Sequence, residues 1–143
     1  AYDIASCLVG SEMCIRDRLN AAVAFVKAFA AKTGAVIAVT GAIDLVSDAE
    51  LTFVIRNGRP MMGRVTGTGC MLSAMTAAYL AANPECPLEA AAAAVGAMGV
   101  CGEIALERLQ KGEGNSTYRN RLIDAIDCLD AETLERGANY EVR

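Results

Sequence analysis

Five residues, Thr66-Gly67-Thr68-Gly69-Cys70, run straight into the apolar stretch Met71 to Leu80, and their types and spacing suit the holding of a phosphate. Two glycines remove the Cβ atoms that would keep backbone N–H groups away from a ligand. The unpaired amides of a first helical turn add the positive end of the helix dipole. On this reading Gly67, Thr68, Gly69 and Cys70 form an anion hole for the charge that builds up on a migrating phosphoryl group. Losing one donor of such a hole typically costs about 2.7 to 4 kcal/mol of barrier stabilisation. Cys70 stands where its side chain can reach whatever the amides hold. An isolated Gly-x-Gly more often makes only a tight loop and an N-cap, so the turn takes its meaning from its surroundings.

The elements that must position this turn can be read on either side of it. Leu19 to Lys32 carries apolar residues at Ala22, Val23, Val26, Phe29 and Ala30, a helical stripe closed by Thr33-Gly34 with a left-handed C-cap. Ala35 to Thr40 is continuously apolar and β-branched, the pattern of a parallel strand covered on both faces. Ile43–Ser47 and Leu51–Arg56 read as a hairpin at the sheet edge, turning through Asp48-Ala49-Glu50. Asn57-Gly58 is a further turn signal. Beyond Cys70 the pattern is helical. One helix presents Leu72, Met75 and Tyr79 and stops near Asn83-Pro84. A second runs from Leu88 to about Gln110, with Ala92, Gly96, Gly99 and Val100 permitting close packing. A third spans about Thr117–Leu129 with Leu122, Ile126 and Leu129 inward, and Asp130 caps a short last helix ending at Gly137. Ligands of open α/β sheets collect beyond the carboxyl ends of strands, so Thr40-Gly41 and the glycine turn are expected to converge.

Composition narrows the function classes. With 13 Lys and Arg against 17 Asp and Glu, the 143-residue chain has a net charge of −4 and offers no basic footprint for nucleic acid or an anionic membrane. No histidine is present and none of the six cysteines has C-x-x-C spacing, so a zinc site is not expected and a reduced, cytoplasmic setting fits. The uncharged run between Arg64 and Glu85 is long enough for a bilayer but is broken by its glycine turn and by Asn83-Pro84. The next, Ala90 to Gly102, is short and rich in small residues, as in a closely packed core helix, so no transmembrane segment is expected. Cys86, Cys101 and Cys128 read as packing residues, and Asp44, Asp48 and Glu50 as solvent-facing rather than as Mg²⁺ ligands.

From Leu19 onward the chain resembles the C-terminal half of the hydroxyethylthiazole kinase family. The resemblance rests on three ordered segments, Ala38–Asp48, Val54–Met62 and Val65–Leu72, and on Cys70 in the place where most ribokinase-like proteins carry Asp. It implies a ribokinase-like three-layer α/β fold, truncated on its N-terminal side, and ATP- and Mg²⁺-dependent phosphorylation of the hydroxyl of 4-methyl-5-(2-hydroxyethyl)thiazole in thiamine salvage. By resemblance Cys70 is the catalytic residue that takes or orients the substrate hydroxyl, Thr40 contacts ATP and Gly67 contacts the thiazole. The family also implies a homotrimer with active sites between subunits. Its N-terminal half supplies a methionine near the substrate, an arginine near ATP and acidic residues around Mg²⁺, and no position before Leu19 matches these. A fragment of this kind is expected to be inactive alone and to expose apolar sheet edge. Residues 1–18 match nothing in the family and resemble a translated sequencing adapter, which sets Cys7 and Cys14 outside the fold; residues 19–143 are then the kinase part. Two alternatives stay open: another ribokinase-like enzyme, such as a hydroxymethylpyrimidine kinase or an ATP-dependent dehydratase, and a non-enzymatic helical interaction module.

Overall fold

The computed structural model describes residues 12–143, with side chains from residue 17 onward. Cys7 and the Cys14 side chain therefore lie outside the described residues. The elements follow in the order α1 (Glu12–Thr33), β1 (Ile37–Val39), β2 (Asp44–Ser47), β3 (Thr52–Ile55), a 3-10 turn (Pro60–Arg64), α2 (Thr68–Ala82), α3 (Pro87–Glu107), α4 (Asn115–Asp127), α5 (Ala131–Gly137) and β4 (Tyr140–Val142).

The four strands make one sheet in the order β1-β2-β3-β4, and every pairing is antiparallel. Side chains alternate across a sheet, so register decides which residues meet which helix. Leu45 stands opposite Val54, and both join Leu19, Val23 and Val26 of α1 in one buried cluster. Val46 stands opposite Phe53 and Asp44 opposite Ile55; Val46 and Ile55 pack with Leu88, Ala91, Ala92 and Val95 of α3. The result is three layers: α1, the sheet, and α3 with its neighbours. A third cluster, Val65, Met98, Cys101, Ala105, Tyr118, Leu122 and Ala125, joins the start of α2 to α3 and α4.

Several expectations change here. Ala35–Thr40 does not become a parallel strand covered on both faces: β1 is three residues long, antiparallel to β2 and at the margin of the described sheet, with Ala38 and Val39 exposed. A continuous apolar run signals two covering layers, and the described residues cover this strand only in part. The β2–β3 hairpin lies in the middle of the sheet rather than at its edge, because β4 pairs outside β3. In α1, Leu19, Val23, Val26 and Ala30 form the buried stripe, whereas Phe29 is 46% exposed and stacks on Phe25. One residue turns the helix by about 100°, which carries Phe29 off the stripe.

Turn and cap residues act as their chemistry dictates. Gly34 is left-handed at φ 69° and its N–H donates to the Ala30 carbonyl, closing α1. Asp48 accepts from the N–H groups of Glu50 and Leu51 to fold the hairpin, and Asp130 accepts from Thr133 N–H to cap α5. Pro87 occupies the first turn of α3. That helix is long and apolar enough to span a bilayer by length and composition, and 78% of its most apolar window is packed inside the molecule.

Candidate functional site

The glycine turn is held from behind. Val65 N–H donates to the Met62 carbonyl, and the Thr68 hydroxyl lies 3.3 Å from both the Met62 and Val65 carbonyls, binding the start of α2 to the 3-10 turn. Gly67, at φ 103°, is the left-handed N-cap, a conformation that strains any residue with a Cβ. Its carbonyl accepts from Met71 N–H, the first bond of α2. No side chain caps this helix, and the N–H groups of Thr68, Gly69 and Cys70 form no hydrogen bond with another described residue. A helix start left open in this way is an anion-binding arrangement in waiting.

Opposite it lies the chain leaving β1. Thr40, Gly41, Ala42 and Asp44 share a cavity of about 540 Å³ with Thr68 and Gly69. The remaining wall comes from Asn57-Gly58-Arg59-Pro60 after β3, from Met62, Gly63 and Leu72, and from Val95, Met98 and Gly99 of α3. The strand end and the glycine turn are thus brought to one hollow on the α3 side of the sheet. Gly67 and Cys70 do not line it: Gly67 is the half-buried cap, and Cys70 is solvent-exposed in the first turn of α2. The Cys70 side chain therefore stands beside the hollow, not within it.

Asp44 departs from the solvent-facing expectation. It is half-buried on the cavity wall, its carboxylate accepts from Gly41 N–H at 2.7 Å, and burial pushes its carboxyl above the ordinary range while that hydrogen bond pulls the other way. Asp48 keeps to the hairpin, where the Leu51 and Glu50 amides hold its carboxyl below the usual range, and Glu50 is exposed. Cys101 is fully buried and its thiol is pushed up to about 11 by desolvation, which makes it a packing residue rather than a nucleophile; Cys86 and Cys128 are exposed free thiols. Among the described residues no three His, Cys, Asp or Glu side chains gather closely enough to hold a metal ion.

The wall after β3 carried no assigned role in the sequence, although Asn57-Gly58 marked a turn and Arg59 brought a cation to it. Its placement depends on α3. A Cβ on Gly99 would stand 2.5 Å from Asn57 Cβ and 2.9 Å from the Asn57 carbonyl carbon, so only glycine lets the loop sit against the helix. Gly96, paired with it in the sequence reading, faces open space instead, while a Cβ on Gly102 would overlap the Met62 thioether. Glu103, one turn beyond Gly99, accepts from Gly58 N–H at 3.0 Å and from the Asn57 side-chain amide at 3.3 Å. The same Asn57 amide donates to the Gly137 carbonyl, and its oxygen accepts from Asn139 N–H.

The model of the "HK: Hydroxyethylthiazole kinase family" matches residues 13–132. A hydroxyethylthiazole kinase of Clostridium acetobutylicum is 55% identical over 125 residues, covering 87% of this chain and 46% of its own length. One from Zea mays is 38% identical over 135 residues, covering 94% of this chain and 46% of its own. The solved structure of the hydroxyethylthiazole kinase protein from Pyrococcus horikoshii OT3 superposes with a TM-score of 0.79 at 31% identity, over 87% of this chain and 47% of that one. The chain thus spans about half the length of the relatives it matches.

Proposed function

The chain belongs to the hydroxyethylthiazole kinase family, and on that premise we propose that its cavity forms part of a site where ATP phosphorylates the hydroxyl of 4-methyl-5-(2-hydroxyethyl)thiazole in thiamine salvage. One observation carries this reading: Thr40-Gly41 and the uncapped start of α2 at Thr68-Gly69 line the same hollow.

Phosphoryl transfer asks a protein mainly to align the acceptor and to neutralise charge on the three equatorial oxygens. The N–H groups of Gly67, Thr68, Gly69 and Cys70 supply the neutralisation as an anion hole, fixed in advance by the Thr68 hydroxyl and the left-handed Gly67. Thr40 contacts the nucleotide from the opposite wall, and Gly67 abuts the thiazole. Cys70 is the catalytic residue, acting from the rim to orient the acceptor hydroxyl. A loose transition state needs little early deprotonation, so a thiol suffices for that task.

A Mg²⁺ ion accompanying the nucleotide would supply neutralisation of phosphate charge in this scheme, with Asp44 as the residue that would hold it. Such sites usually take only one or two carboxylates and complete their shell with phosphates and water. Among the described residues Asp44 is the one carboxylate on the cavity wall, and its engagement with Gly41 would suit a part in an incomplete shell rather than a metal cage. The same reading carries a homotrimer with substrate seated between subunits, small-molecule rather than nucleic-acid or membrane partners, and a cytoplasmic setting that the free thiols suit.

The test joins this chain, from the start of its matched segment, to the upstream portion of the Clostridium acetobutylicum relative and measures ATP-dependent phosphorylation of hydroxyethylthiazole by mass spectrometry. Hydroxymethylpyrimidine serves as competitor. Preferential turnover of the thiazole is expected. Turnover of the pyrimidine alone, or of neither, would contradict the reading.

A further inference from the structure

Among the described residues Arg59 is the single cationic side chain on the cavity wall. It is half-exposed, and one edge of its guanidinium faces Glu103, with Nη1 3.6 Å from Oε1. Among the described residues its other guanidinium nitrogens have no hydrogen-bond partner. Glu103 is already engaged by the Gly58 N–H and the Asn57 amide, so its charge is shared among several donors. The loop that carries Arg59 is fixed at its root by Gly99 and by the Asn57 bonds to Gly137 and Asn139. Across the cavity the Asp44 carboxylate is turned to Gly41. Without a cation, a wall bearing Asp44 and backed by Glu103 would repel a polyphosphate despite the amides of α2.

We propose that Arg59, ion-paired at the cavity wall with Glu103, is a phosphate-contacting residue of this cavity, and that it sets the affinity of this chain for the polyphosphate portion of its nucleotide. The proposal deepens the kinase reading and rests on it. The guanidinium is planar and, beyond its ion pair with Glu103, offers N–H groups without a hydrogen-bond partner among the described residues, which suits two oxygens of a phosphate. The amides of Thr68 and Gly69 start a helix lining the same cavity and then act on the same anion. Glu103 is a positioning residue in this scheme and touches no ligand.

The test uses inorganic tripolyphosphate, titrated at low ionic strength into the isotopically labelled chain. Amide shifts at Thr68 and Gly69 locate the anion, and calorimetry gives its affinity. The wild-type chain is expected to bind with shifts at those two amides. Arg59→Gln should bind about tenfold more weakly, with the same amides moving at saturation and a shallower loss of affinity on adding salt. Arg59→Lys, which keeps the charge but not the planar fork, should bind with an affinity between those of wild type and Arg59→Gln. Binding by Arg59→Gln that equals wild type overturns the proposal and leaves the anion cavity standing. Equal losses in Arg59→Gln and Arg59→Lys, with lowered melting temperatures, would mark Arg59 as a loop support and also overturn it. Absence of any shift at Thr68 and Gly69 in the wild type removes both the proposal and the reading beneath it.

Discussion

Cys70 stands at the rim of the hollow and Asp44 on its wall, so their side chains act from different places. Cys70 was conspicuous because it follows a glycine turn, yet its side chain lies outside the cavity lining; Asp44 was unremarkable and stands on the wall. In the joined enzyme, Cys70→Ala should lower kcat by about 100-fold, the lower end of what a positioned acid–base group contributes. Cys70→Asp should restore part of it, because a carboxylate can accept the same proton. Steady-state rates at saturating thiazole check this, and unchanged turnover in both variants would end the catalytic assignment. Asp44 makes a different prediction. Burial raises its carboxyl, so protonation favours the folded state: that contribution is complete below the ordinary Asp range and disappears as pH rises through the raised value. Asp44→Asn keeps an oxygen for Gly41 N–H and removes the buried charge. Its melting temperature relative to wild type should therefore increase from acidic to neutral pH, and a constant difference across that range would contradict the assignment.

At the scale of elements, α3 organises the site, and its glycines separate two roles that composition cannot distinguish. Gly99→Ala pushes a methyl group into Asn57 and should destabilise the fold by about 1 to 3 kcal/mol, the usual cost of overpacking against backbone. Gly96→Ala meets no atom within 4 Å and should stabilise by up to about 1 kcal/mol through helix propensity. Chemical denaturation of both variants checks the pair, and equal effects would mean that the loop does not rest on α3 as described. The sequence contained the small residues but not the partner, since the sheet loop that meets Gly99 lies some forty residues upstream. Caps were legible because they depend on near neighbours: Gly34, Pro87 and Asp130 each act within a few residues. The three-residue β4 was not legible, being too short to show a period and recruited only by pairing with β3. The wall at Arg59 was hidden for the same reason, because Glu103, which holds it, is distant in sequence.

For the whole molecule, three layers put the strand end and the glycine turn on one side of the sheet, and that placement is what the kinase reading depends on. The layers leave apolar surface uncovered at β1 and α1, where Val39 is 46% and Phe25 62% exposed. An open strand edge beside such a surface templates association, so the chain should self-associate with rising concentration, and Val39→Lys should reduce this without changing the circular dichroism spectrum. Light scattering across a concentration series decides it; identical scattering by both proteins would show that another surface drives assembly. The claim underlying all of this is that one hollow holds the nucleotide phosphates, and a titration of the labelled chain with ATP tests it most directly. The largest backbone amide changes should fall at Thr40, Gly41, Thr68 and Gly69 together. Changes confined to other parts of the chain, or movement at only one of the two walls, would contradict it.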